Sequence, residues 1–243
     1  LPISSLHPQA LRVEKSMRPL NTLEAFKEGG FYVQNEASML AGSILSPRAG
    51  DMVYDLCCGV GGKGTHLAEL MQNRGLIIAL DLHPHKLRLL EENCRRLKVS
   101  IVKAHVADIT RIKLDEPADR VLLDAPCSGL GVLNRRADSR WRKDPQDVEK
   151  LQELQLSLLN QAGKILKPDG LLLYATCTVN PGENEKIIAR FLQNNGFTLQ
   201  GFAERVDFFP LDDKDRASAA RGLLTILPGK YKTDGMFYAL LRR

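Results

Sequence analysis

Met52-Val-Tyr-Asp-Leu56 runs directly into Cys57-Cys58-Gly59-Val60-Gly61-Gly62-Lys63-Gly64, and the fold turns on this stretch. Its first five residues are an apolar run around a single acid, the pattern of a buried strand. Glycine then recurs as G-x-G-x-x-G, and residues 66–73 read as a helix. A strand, a glycine-rich turn and a helix in that order describe a nucleotide-binding loop. Glycine lets the backbone approach a ligand, and the helix N-terminus presents free N–H donors. The loop is not the phosphate cradle of ATP or GTP hydrolases. Gly64 follows Lys63 where such loops have Ser or Thr, and Cys57 stands in place of the leading glycine.

Outward from that stretch, apolar runs alternate with amphipathic segments. Residues 76–80 read as a second strand ending at Asp81, and 84–97 as a helix with Pro84 in its first turn. Residues 100–104 read as a third strand with Asp108 just beyond, and 120–124 as a fourth that leads into Ala125-Pro-Cys127. Leucine at helical spacing over 148–166 predicts a helix, Pro168-Asp-Gly170 a turn, and 171–175 a fifth strand. A helix over 183–194 and strands near 197–202 and 236–241 follow, and upstream 35–45 has helical spacing. The alternation predicts an α/β fold with an open, mostly parallel sheet and helices on both faces. Such sheets bind ligands beyond the carboxyl ends of their strands. Residues 1–45 are expected to form an N-terminal extension packed on the core, and 46–243 the catalytic domain.

Composition narrows the class. The 243 residues carry 34 Lys+Arg against 29 Asp+Glu, a net charge of +5 that permits a nucleic-acid partner without requiring one. A 44% hydrophobic and 26% charged chain argues against disorder. No apolar run approaches the ~18 residues of a membrane span and no signal-peptide pattern opens the chain, so a soluble, cytoplasmic protein is expected. Five cysteines, at 57, 58, 94, 127 and 177, are an odd number with no C-x-x-C pair. They argue against a disulfide framework and against a structural zinc site, and no metal is expected. Leu1 rather than Met opens the chain, which suggests that an upstream segment is missing.

A G-x-G-x-x-G loop serves both dinucleotide enzymes and S-adenosylmethionine methyltransferases. Asp81 lies 26 positions after Asp55, where a carboxylate can accept both ribose hydroxyls. Asp108, past the next strand, is placed to accept from an adenine amino group. Together they favour adenosine, with NAD still open. Cys127 and Cys177 each follow a strand, and neighbouring strands would bring them face to face. Two thiols beside an adenosine site fit methylation at C5 of cytosine. A thiolate adding to C6 makes C5 nucleophilic, and a second group assists loss of the C5 proton. The attacking thiol must be ionised, and Lys63 is the candidate cation for that. Asp124 is placed to hydrogen-bond the N3/N4 edge of the base.

Three motifs in order, Asp55-Leu-Cys-Cys-Gly-Val-Gly-Gly-Lys63, Asp124-Ala-Pro-Cys-Ser-Gly129 and Thr176-Cys-Thr followed by Pro181-Gly-Glu-Asn-Glu185, resemble the Sun/Fmu (NOL1/NOP2/Sun) family of RNA cytosine-5 methyltransferases. Gly30-Phe-Tyr-Val-Gln-Asn-Glu-Ala-Ser38 and Thr233-Asp-Gly-Met-Phe-Tyr-Ala239 resemble it too, so the likeness spans nearly the whole chain. It implies a Rossmann-like methyltransferase fold with a seven-stranded sheet, S-adenosylmethionine as donor and RNA as acceptor. By the same resemblance Cys177 is the nucleophile and Cys127 aids release, whereas position alone leaves the two roles open. Cys57, Cys58, Gly59, Val60, Gly61, Gly62, Lys63, Asp81, Asp108 and Asp124 would line the cofactor site. Val60 stands where the family usually has proline, which is expected to loosen the loop. The pattern is closest to the bacterial ribosomal RNA branch, and tRNA-modifying relatives share its motifs.

Residues 134–143 pack five cations and the only Trp into ten positions directly after the Cys127 motif. Arg135, Arg136, Arg140 and Arg142 are expected to hold RNA phosphates and Trp141 to stack on a base. A non-catalytic RNA-binding or assembly module that keeps the pocket is the competing reading, and the two retained cysteines speak against it. An NAD-dependent oxidoreductase would leave Cys127 and Cys177 without a joint role.

Overall fold

The computed structural model describes residues 3–13, 16, 18–112, 116–135 and 144–243. A short helix α1 (Glu24–Lys27) and a longer α2 (Glu36–Leu45) precede β1 (Met52–Leu56), α3 (Gly62–Leu70), β2 (Leu76–Asp81), α4 (Pro84–Arg96), β3 (Val102–Val106) and β4 (Ala118–Asp124). Then come α5 (Pro145–Lys164), β5 (Leu166–Thr176), α6 (Glu185–Asn194), β6 (Thr198–Leu199), α7 (Asp213–Ala220), β7 (Leu223–Ile226) and β8 (Met236–Arg242). The spatial order is β3-β2-β1-β4-β5-β8, parallel as far as β5 and antiparallel at β8. β6 and β7 lie end to end along the outer edge of β8.

The sheet thus has eight strands, not the seven expected. The extra one is β7, and it splits the outer edge with the two-residue β6. The third strand is displaced two residues from the expected 100–104, because Ile101 contributes to the core just ahead of the ladder. The turn at Pro168-Asp-Gly170 sits inside β5. Pairing with β4 jumps from Leu166 to Leu171, and Asp169 has φ 63°, so the turn is a bulge in the strand.

Strand periodicity decides which helices cover which face. Val53, Leu122, Leu173 and Leu240 face α2 and α3 and pack with Leu40, Ile44, Leu67 and Met71. Their neighbours Tyr54, Val121, Leu123, Leu172 and Tyr174 face the other way, onto Leu158, Leu159 and Phe191 of α5 and α6. Asp55 shares the parity of Val53, so the one charge in β1 is directed toward the start of α3.

α2 is anchored by distant residues as well as by its apolar face. Asn35 caps it by accepting from Ala37 N at 3.0 Å, and Thr233 Oγ1 donates to the same Asn35 oxygen at 2.7 Å. Beside it, the segment at 3–13 docks through two histidines. His7 Nε2 lies 3.1 Å from Ser43 Oγ, His66 Nε2 lies 3.0 Å from Gln9 Oε1, and the rings are 5.6 Å apart. Burial pushes both imidazoles down from 6.5 to about 4. A base with a depressed pKa contributes stability that is present above pH 6.5 and lost as pH falls toward 4. Urea unfolding at pH 7 and pH 4.5 should therefore differ, with His66 contributing on the order of 3 kcal/mol. In His66→Gln that share of the pH dependence should be missing. Among the described residues no helix is long and apolar enough to cross a membrane.

Candidate active site

The glycine loop leaves β1 with three positive φ angles, Cys57 at 62°, Gly59 at 59° and Gly61 at 88°. Asp81 Oδ2 accepts from Gly59 N at 3.0 Å, Cys58 N donates to Leu80 O at 2.9 Å, and Asn93 Nδ2 donates to Val60 O at 3.1 Å. The segment around Val60 is therefore pinned from three sides, although proline is absent. Gly61 caps α3 in the left-handed region, and a Cβ there would lie 2.1 Å from Leu90 Cδ1. Gly61→Ala should cost about 3 kcal/mol through backbone strain and overpacking together, read as a fall in denaturation midpoint at unchanged m.

Beneath the loop Asp55 is fully buried, and neither carboxylate oxygen has a hydrogen-bond partner. Burial first, then the charges of Asp124 and Asp81 against the opposing Lys63, push its carboxyl up to about 8. It is a largely neutral acid at pH 7. Above it Lys63 Nζ donates to Asp124 Oδ2 at 2.6 Å. Burial alone would lower the ammonium's pKa, but the charge and hydrogen bond of Asp124, with Cys177 and Asp55 behind, outweigh it and raise it. Burial pushes the thiols of Cys57 and Cys58 far up, so they are inert lining.

β4 and β5 are neighbours in register, Asp124 opposite Ala175, and Ala125 N extends the pairing to Ala175 O at 2.9 Å. The chains then diverge, and Cys127 Sγ meets Cys177 Sγ at 3.5 Å. Cys127 is held well above the ordinary thiol range, first by its hydrogen bond with Cys177 and second by burial. One cavity of about 350 Å³ is lined by Cys57, Asp81, Lys86, Asp124, Cys127 and Cys177. Cys57 at the head of the loop, Asp81, Asp124 and both thiols therefore open onto the same space, whereas residues 58–63 lie off its wall.

Other expected residues stand differently. Asp81, besides fixing the loop, accepts from His83 N at 2.9 Å and pairs with Lys86 at 3.4 Å. Asp108 lies at the same end of the sheet but not on the cavity wall. It accepts from Thr110 Oγ1 at 2.6 Å and from Thr110 N at 3.0 Å, and these bonds hold its carboxyl below the usual range. Arg135 is committed through Nε to Asp234 Oδ2 at 3.0 Å, while its side chain stays 58% exposed. Arg136, Arg140, Trp141 and Arg142 lie outside the described residues. Glu183, Ser128, Thr178 and Gln155 form a buried polar cluster behind the thiols that had no assigned role. The signal for it was a hydroxyl directly after each cysteine.

Comparison with known proteins places this arrangement. The family described as 16S rRNA methyltransferase RsmB/F matches residues 42–242. The chain belongs to the RsmB/F family. It is 38% identical over 228 residues to a probable ribosomal RNA small subunit methyltransferase B of Bacillus subtilis, covering 90% of this chain and 49% of that protein. It is 36% identical to a tRNA (cytosine(72)-C(5))-methyltransferase of Pyrococcus horikoshii, covering 92% and 55%. The crystal structure of NSun6 from Pyrococcus horikoshii with SFG superposes with a TM-score of 0.79 at 33% identity, over 93% of this chain and 56% of that one. The chain spans about half the length of the curated relatives it matches. The eight-stranded sheet is thus the Rossmann-like fold of RsmB/F methyltransferases, with the cysteine-bearing ends of β4 and β5 beside its glycine loop.

Proposed function

We propose that this chain methylates C5 of a cytosine in RNA, ribosomal RNA first, with S-adenosylmethionine as donor and a covalent bond between Cys177 and C6. The observation that carries the reading is the pair of thiols 3.5 Å apart on the wall that also holds Asp81 and Cys57, the first residue of the glycine loop. Membership of RsmB/F supports RNA as acceptor.

The residues present fit the donor. The cavity wall carries the carboxylates of Asp81 and Asp124, acceptors suited to the hydroxyls and ammonium of the donor. At Gly59 a Cβ would meet nothing within 4 Å, so the loop backbone is bare there. When bound, the donor supplies an electrophilic methyl group on a sulfonium. The chain's own residues do the rest. Cys177 adds to C6, Asp124 meets the N3/N4 edge of the base, and Cys127 assists loss of the C5 proton so that the Cys177–C6 bond can break.

Incubation with 16S rRNA and with tRNA, each with radiolabelled donor, followed by bisulfite sequencing, tests the reading. A new protected cytosine in the ribosomal RNA supports it. Label entering tRNA alone would favour the tRNA reading, which the Pyrococcus relative motivates. Label at adenine or guanine, or none, would defeat it. RNA contact by the basic segment is a separate expectation. Neutral replacements at Arg136, Arg140 and Arg142 should weaken RNA binding and flatten the dependence of log K on log salt by about 0.7 per lost single-strand contact. Donor binding should be unchanged, and an unaltered salt slope would remove the segment from the interface.

A further inference from the structure

The thiols ride on two loops that leave neighbouring strands and diverge. One carboxylate joins those loops. Glu183 is fully buried, and its Oε1 accepts from Ser128 N at 2.8 Å and from Gln155 Nε2 at 3.0 Å. Its Oε2 accepts from the Ser128 hydroxyl and from Thr178 Oγ1 at 3.3 Å. Ser128 follows Cys127, Thr178 follows Cys177, and their hydroxyls lie 2.8 Å apart. Gln155 Nε2 also donates to Pro126 O at 2.9 Å, tying α5 to the Cys127 loop. Tyr174 OH donates to the Glu183 carbonyl at 2.7 Å and fixes the residue from below. A buried carboxylate with four donors from three elements is a cross-brace, and truncating it leaves those donors unpaired.

We infer that Glu183 is a positioning residue for the cysteine pair. Its carboxylate holds the two loops at the spacing that brings Cys127 Sγ to 3.5 Å from Cys177 Sγ, within hydrogen-bond reach of each other. The inference rests on the reading that the thiols divide attack from release, yet its content is measurable without methyl transfer. The charges around the pair agree with it. Lys63 of α3, paired with Asp124 of β4, also interacts with the Cys177 sulfur and with Asp55 of β1. Glu183 adds negative charge on the Cys127 side. Burial first raises the phenols of Tyr174 and Tyr238, followed by Cys127 and Glu183 for Tyr174 and by Asp124 and Cys177 for Tyr238.

Two substitutions separate brace from charge. A glutamine can still accept from Ser128 N and Gln155 through its oxygen and donate to the two hydroxyls through its amide. Glu183→Gln therefore removes charge and keeps the brace, whereas Glu183→Ala removes both. The experiment is iodoacetamide alkylation of the full chain from pH 6 to 9.5, without RNA, with modified sites read by peptide mass spectrometry. In the wild type Cys177 should react about tenfold faster than Cys127 at pH 8. In Glu183→Ala the preference should fall below about threefold and the Cys127 profile should move to lower pH, with Glu183→Gln in between. Wild-type preference and profile in both variants would overturn the proposal. If Glu183→Ala does not fold, the wild type decides through the ¹³Cβ shifts of labelled cysteine followed with pH. Cys127 losing its proton below Cys177 overturns the proposal, and the reverse order supports it. A chain inert toward every RNA that still shows these shifts would retain the brace and lose the proposed reaction.

Discussion

Cys177→Ala should abolish methyl transfer, by roughly 10⁴-fold or more, and with it any covalent protein–RNA species. Cys127→Ala should do something different. It should leave a protein–RNA adduct that survives a denaturing gel while turnover falls to nearly nothing. The asymmetry follows from chemistry and position. C5 of cytosine is a poor nucleophile until a thiolate has added to C6, so the attacking cysteine is needed before anything else can happen. Once C5 carries its methyl group, the C5 proton must leave before the Cys177–C6 bond can break. Cys127 Sγ, 3.5 Å from Cys177 Sγ and opening onto the same cavity, is within reach of that step and unnecessary for the first. Its strongly held proton fits poorly with a resting nucleophile, and Cys127 must pass that proton to solvent before it can accept the one leaving C5. Gels of each variant with substrate RNA decide the matter. An adduct seen only in Cys177→Ala would exchange the two roles. No adduct in either variant, with activity retained, would remove covalent catalysis altogether.

The same site shows what could and could not be read before the coordinates. The glycine loop, Asp81, Asp124 and both cysteines were legible because each lies just past a strand whose apolar run is unmistakable, and a parallel sheet gathers such positions at one end. Glu183 falls within the Pro181-Gly-Glu-Asn-Glu185 motif, which by itself assigns it no role. Gln155 and Ser128 lie 28 and 55 residues away from it in sequence, and the hydroxyl after each cysteine marks two donors without naming their acceptor. The pairing of Arg135 with Asp234 is hidden for the same reason, being 99 residues apart. In the fold, β7 was overlooked because Leu223-Leu-Thr-Ile226 is too short to show alternation and owes its conformation to β8. α7 was missed because its residues are mostly polar or alanine, with only Asp215 and Ala219 buried, so no apolar stripe marks it. Propensity and period report what a segment does alone. These elements exist because of what they meet.

Lys63→Met should lower the melting temperature and remove methyl transfer, and adding Asp124→Asn should restore the first without the second. Lys63 and Asp124 form a 2.6 Å ion pair whose side chains are only 14% and 30% exposed. Taking away the ammonium leaves Asp124 partly buried beside Asp55 and Asp81, with no cation of its own. Breaking a buried pair from one side costs about 3 kcal/mol, for a chain of this size a fall of roughly 6–12 °C. Replacing the carboxylate as well removes the stranded charge, so most of that loss should return and the double variant should show a coupling of the same order. Activity obeys different logic. Lys63 is the cation proposed to lower the cost of a thiolate at Cys177, and Asp124 is the group proposed to meet the cytosine edge. A neutral pair can pack, but it can neither hold the thiolate nor follow the charge that develops on the base. Single-turnover rates in the double variant should therefore stay at least about 10²-fold down even where its melting curve overlays the wild type. Recovery of rate along with stability would reduce Asp124 to a counterion for Lys63, and the hydrogen bond to the base would then have to come from another residue on the cavity wall.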